Sequence, residues 1–127
     1  MKHHAMLRRI HLELARTQSY PEGSADHGYE FVAPLTGEGH VDLESWRENK
    51  KACTVTRFWG DAPEQHGHLA HVRGGWHFAY GEDGTENGEP FYKLDRHTFT
   101  PGAYVTITEP DGKPYPFKVL SIVPVID

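Results

Sequence analysis

Apolar and polar residues alternate with a period of two along much of this chain. In Leu7 to Ala15 (LRRIHLELA), Ile10, Leu12 and Leu14 are interleaved with Arg9, His11 and Glu13. Successive side chains of a strand leave opposite faces, so the alternation predicts a strand with one buried and one wet face. The run Ser19-Tyr20-Pro21-Glu22-Gly23 ends it, since proline removes a donor and glycine opens turn geometry. Gly28 to Leu35 (GYEFVAPL) predicts a second strand with Tyr29, Phe31 and Ala33 on one face, Pro34 marking its end or an edge. Cys53 to Trp59 (CTVTRFW) is β-branched and aromatic, and reads as a strand. His68 to Val72 and Trp76 to Tyr80 predict a hairpin about Gly74-Gly75, where primed turns need positive φ. Pro90 to Leu94 and His97 to Phe99 read as short strands. Ala103 to Glu109 and Pro116 to Val125 form the clearest pair, around a loop containing Asp111-Gly112.

One segment departs from this period. Asp42 to Lys51 (DLESWRENKK) predicts a short helix, with Asp42 able to cap its start and Leu43 and Trp46 pointing one way. So short a helix is held by packing rather than by propensity. Turn signals between the strands recur at the spacing of all-β folds. The expected fold is therefore a mainly-β single domain, a partly open β-barrel or barrel-like sandwich with one short α-helix. It is expected to span residues 6–127, with residues 1–5 a tag remnant or a disordered N-terminus.

Composition changes this picture little. The chain has 127 residues, enough for one self-sufficient core, and its 13 glycines and 9 prolines suit a fold of short elements. The net charge of −5 argues against binding a phosphate backbone, and the basic residues form only the pairs Arg8-Arg9 and Lys50-Lys51. Cys53 is the single cysteine, so no disulfide forms within the chain, which fits a reducing compartment. No apolar run has the length of a secretory signal or approaches the ~18 residues of a membrane span. A cytoplasmic protein is expected.

The candidate chemistry lies in His66 to Phe78 (HGHLAHVRGGWHF). On a strand, His66 and His68 share a face with α-carbons roughly 6.5 Å apart, close enough to bind one ion together. His71 lies an odd number of residues from His68 and points to the other face, so the HxHxxH spacing does not make a three-ligand site on a regular strand. A two-residue loop Gly74-Gly75 would set His66 opposite Asp83. A three-residue loop Arg73 to Gly75 would set it opposite Glu82. Either register offers a carboxylate to a site of two histidines and one acid, which could hold zinc, iron or manganese and activate water. The alternative is that these histidines are solvated or line the core. Cys53 reads as a buried small hydrophobe rather than a nucleophile. Asp83 to Glu89 reads as a solvated turn, because it lacks the ligand order of a helix–loop–helix calcium site. The many aromatics are expected to fill a barrel or line one mouth. Nothing marks a phosphate-cradling loop, a nucleophile elbow or a nucleophile–base–oxyanion constellation.

Three segments, HGYEFVAPLTGEGHVDLESW, CTVTRFWGD with HLAHVRGGWHFAY, and FTPGAYVTITEPDGKPYPFKVLSI, resemble a family of small uncharacterised alphaproteobacterial proteins with no assigned activity. The resemblance covers nearly the whole chain from Met6. It implies a single bacterial cytoplasmic domain and carries over no functional residues. The expected function is a small binding or accessory module without catalysis of its own, taking a protein partner or small-molecule ligand at an aromatic-lined face. No cofactor is needed for that role. The alternative is a metal-dependent, hydrolase-like enzyme using His66, His68 and a carboxylate. A monomer or an edge-strand dimer is expected.

Overall fold

A computed structural model describes residues 5–72, 75–80, 90–91, 98–108 and 112–125. The chain forms a mainly-β single domain. The strands are β1 (Met6–Leu14), β2 (Ser24–Leu35), β3 (Thr54–Trp59), β4 (Ala62–Val72), β5 (Gly75–Tyr80), β6 (Pro90–Phe91), β7 (Tyr104–Thr108) and β8 (Pro114–Pro124). Each pairs antiparallel with its neighbour in the chain, and β1 pairs with β8, so the sheet closes into a barrel. The ring is narrowest at the two-residue β6, which meets β5 through Trp76↔Phe91 and His77↔Pro90, and β7 through Phe91↔Ile107.

The period-two pattern explains the core. Ile10, Leu12 and Leu14 of β1, Tyr29, Phe31 and Ala33 of β2, Val55 of β3 and Leu69 of β4 are buried, as are Trp76 and Phe78 of β5, Ile107 of β7 and Phe117 of β8. Aromatic rings interlock across the barrel: Phe78 lies 5.0 Å from Tyr29 and 5.2 Å from Phe31, centroid to centroid. Such pairs add to the stabilisation given by buried area alone.

Helix α1 (Leu43–Glu48) is followed by a 3-10 turn at Lys50–Ala52. Asp42 accepts from the Ser45 N–H at 2.9 Å, satisfying one of the orphan donors at the helix start. Trp46 drops into the barrel end, where its indole N–H donates to the Leu69 carbonyl and its ring meets Trp76 edge-on at 5.3 Å. Phe99, expected on a short strand, belongs to no strand and is buried as part of the core. Of the other short-strand positions, Pro90 and Phe91 form β6, and 92–94 and 97 lie outside the described residues.

The β4–β5 register corrects both expected hairpins. The observed pairs are Val72↔Gly75, His71↔Trp76 and Ala70↔His77, so the connecting residues are Arg73 and Gly74. Gly75 belongs to the ladder instead of the turn. Close approach explains the glycine on the facing strand: a Cβ on Gly67 would sit 2.1 Å from the Ala79 carbonyl oxygen.

Candidate functional site

The outer face of β1–β4 carries a row of polar side chains. Register places His11 opposite Glu30, Glu30 opposite Thr56 and Thr56 opposite His66. His11 is bracketed by carboxylates, Nδ1 at 3.4 Å from Glu30 Oε2 and Nε2 at 3.0 Å from Glu13 Oε2. Its ring stacks on Phe58 at 5.6 Å. His66 Nδ1 lies 3.2 Å from Thr56 Oγ1, and its Nε2 lies 3.7 Å from Glu64 Oε1. His11, Glu30, Thr56, Phe58, Glu64 and His66 border a shallow depression of about 470 Å³.

His66 and His68 are both exposed and lie on this outer face, because Gly67 and Leu69 take the buried positions between and beyond them. The pleat sends His71 the other way, to pack 4.6 Å from the Trp76 ring and 6.1 Å from Trp46. The three imidazoles do not converge. Among the described residues, no three His, Cys, Asp or Glu side chains are grouped to hold a metal ion. Glu82 and Asp83, the acids offered for His66, lie outside the described residues, as does the whole Asp83 to Glu89 segment.

Cys53 is fully buried, and burial pushes its thiol up to about 11. The thiolate, the reactive form of cysteine, is therefore scarce near neutral pH.

The more developed cluster lies at the barrel end opposite α1. The connection from β1 to β2 is tied by reciprocal backbone bonds between Thr17 and Tyr20, at 2.9 and 3.2 Å, and by the Gly23 N–H donating to the Tyr20 carbonyl. Gly23 has φ 76°, and a Cβ there would meet the Leu14 carbonyl oxygen at 2.8 Å, so this tight return favours glycine. β2 then starts at Ser24, earlier than the alternation from Gly28 suggests, and brings His27 beside Trp59 of β3.

There, Ser24 Oγ and His27 Nδ1 are 2.6 Å apart, and His27 Nε2 lies 3.4 Å from the Tyr20 hydroxyl. Trp59 meets the imidazole edge-on at 4.7 Å and carries the Arg57 guanidinium over its face at 4.4 Å. Tyr115 lies 6.1 Å from Trp59, and Tyr20, Trp59 and Tyr115 all pack partly buried against the core. These rings line one end of the barrel, while Phe31, Phe78, Phe99 and Phe117 fill its interior.

Ser24 also lines a groove of about 730 Å³ on the outer surface, between the β1–β2 connection and the β7–β8 hairpin. Tyr104 and Leu120 supply exposed apolar surface there, and Arg16, Lys118 and Glu22 supply charge. The sequence pattern assigns no element to residues 24–27, between the turn run ending at Gly23 and the alternation from Gly28, so it does not bring Ser24 and His27 together. The S-x-x-H spacing was the available signal, and only the strand starting at Ser24 gives it meaning.

No protein-family model, no curated protein and no solved structure matches the chain. No helix among the described residues is long and apolar enough to cross a membrane.

Proposed function

We propose that the protein is a small binding module that takes a low-molecular-weight ligand in the groove lined by Ser24, Tyr104, Lys118 and Leu120. One observation carries this reading: the groove volume of about 730 Å³ falls in the range of small-molecule sites, and its lining mixes Leu14, Tyr104 and Leu120 with the charged Glu13, Arg16, Glu22 and Lys118. Tyr104 is 62% exposed and Leu120 44%, an arrangement that favours a ligand with an apolar body. Arg16, Lys118 and Glu22 would then orient its polar ends. His66 and His68, the histidines of the metal-dependent alternative with its carboxylate, lie on a different face of the barrel.

Titrating isotope-labelled protein with a library of small amphipathic fragments tests the reading by amide chemical shifts. The expected result is a contiguous set of shifts at Arg16, Ser24, Tyr104, Lys118 and Leu120, lost in Leu120→Asp. Shifts confined to the outer face around His11 and His66 would move the site there. A flat response to the whole library would end the ligand-binding reading.

A further inference from the structure

We propose that Ser24 is a nucleophile activated by His27, which accepts an acyl group from a small ester held in the groove that Ser24 lines. The proposal rests on the groove reading and extends it from holding a ligand to reacting with one. A serine hydroxyl is a weak nucleophile until an adjacent base takes its proton, and such a base must lie within hydrogen-bond reach with its own orientation fixed. The Ser24 Oγ to His27 Nδ1 distance of 2.6 Å meets the first condition. The surroundings of the ring meet the second.

In the tautomer protonated on Nε2, the imidazole donates to the Tyr20 hydroxyl at 3.4 Å and turns its Nδ1 lone pair toward the Ser24 O–H. Trp59 blocks one side edge-on. Gly60 leaves room on another, since a Cβ there would lie 3.3 Å from Nε2. The Asp26 N–H donates to Ser24 Oγ at 3.2 Å and holds the oxygen in place. Of nucleophile, base and orienting group, Ser24 borders the groove, while His27 and Tyr20 are outside its lining and reach Ser24 through the hydrogen-bonded chain.

The step balances with water as the only co-reactant. Ser24 Oγ attacks the ester carbonyl carbon, and its proton passes to His27 Nδ1. The tetrahedral intermediate expels the alcohol by breaking the ester C–O bond, and the leaving oxygen recovers the proton from His27. Water then attacks the acyl-serine, gives a proton to His27, and releases the carboxylic acid as that proton returns to Ser24. Ser24 and His27 are the catalytic residues. Tyr20 is a positioning residue, acting through His27.

The test treats the full chain with diisopropyl fluorophosphate, followed by intact mass and peptide mapping. The Oγ–P bond forms, the P–F bond breaks, fluoride leaves and His27 takes the proton. One adduct on Ser24 is expected. His27→Gln keeps a hydrogen-bonding side chain without the base and should slow labelling by about 10²-fold or more. Tyr20→Phe should slow labelling while leaving fragment affinity in the groove unchanged, a split that a purely structural role would not give. Wild-type protein decides the matter even if a variant fails to fold: an unlabelled Ser24 overturns the proposal, as does an unchanged rate in folded His27→Gln. Fragment shifts in the groove without labelling would remove the nucleophile alone. Labelled Ser24 without such shifts would support the nucleophile and remove the binding reading.

Discussion

The indole N–H of Trp46 donates to the carbonyl oxygen of Leu69 at 2.9 Å, joining the helix to the fourth strand. The bond is buried and gives a six-residue helix its attachment to the barrel. Trp46→Phe keeps most of the ring but leaves that carbonyl without its donor. A buried acceptor left unsatisfied costs about 1–3 kcal/mol. Urea denaturation should show a loss of that order, with little change in slope. A loss below about 0.5 kcal/mol would mean that the bond is not what seats the helix.

Gly67 and Gly37 are expected to behave oppositely. A Cβ on Gly67 would lie 2.1 Å from the Ala79 carbonyl oxygen and 2.9 Å from the Tyr80 Cα, both backbone atoms. Gly67→Ala must push β4 and β5 apart, and overpacking of this kind costs about 1–3 kcal/mol or more. Gly37 has nothing within 4 Å and no positive φ. Gly37→Ala restricts the unfolded chain and should stabilise by about 0.4–1 kcal/mol. Thermal melts of the two variants give the comparison directly.

Cys53 predicts a specific dependence on alkaline pH. Burial raises the folded-state thiol from 9.0 to about 11. Between these values the unfolded chain releases the proton while the folded chain retains it, so stability present below pH 9 falls as pH rises. The loss reaches about 2 kcal/mol by pH 11. Cys53→Ala should flatten this part of the stability–pH curve. Equal slopes in the two proteins between pH 9 and 10.5 would show that the thiol is not responsible.

The polar row on β1–β4 should contribute little stability. Arg9 and Glu30 lie 3.6 Å apart with side chains 46% and 41% exposed, and exposed pairs of this kind are worth about 0–1 kcal/mol. Glu30→Gln is therefore expected to leave the melting temperature nearly unchanged. His66→Ala and His68→Ala, with or without added zinc, should do the same. A zinc-dependent rise in melting temperature that His68→Ala abolishes would restore the metal site and imply a third ligand from outside the described residues.

Much of the fold is legible in the sequence because burial on one face writes itself as alternation. Ile10, Leu12 and Leu14 announce β1, and Tyr29, Phe31 and Ala33 announce β2. Asp42 announces the helix start by its capping chemistry. Register is less legible, since two adjacent glycines satisfy several turns equally. Gly75 is glycine but pairs with Val72 inside the ladder, which shifts every partner of His66 to His71. The opposed faces of His68 and His71 follow from parity alone and survive that shift. The Ser24–His27 contact was not legible, because it depends on β2 beginning at Ser24 and on Trp59 arriving from β3.

The pairing of β1 with β8, from Arg8↔Pro124 to Leu14↔Phe117, has a consequence for biosynthesis. Until Pro114–Pro124 has left the ribosome, Met6–Leu14 has a partner on one side only. The emerging chain must keep that bare flank from recruiting another strand while the 99 intervening residues are translated. The charged Arg9 and Glu13 side chains along it are suited to the task, since charge on an unpaired strand discourages intermolecular addition.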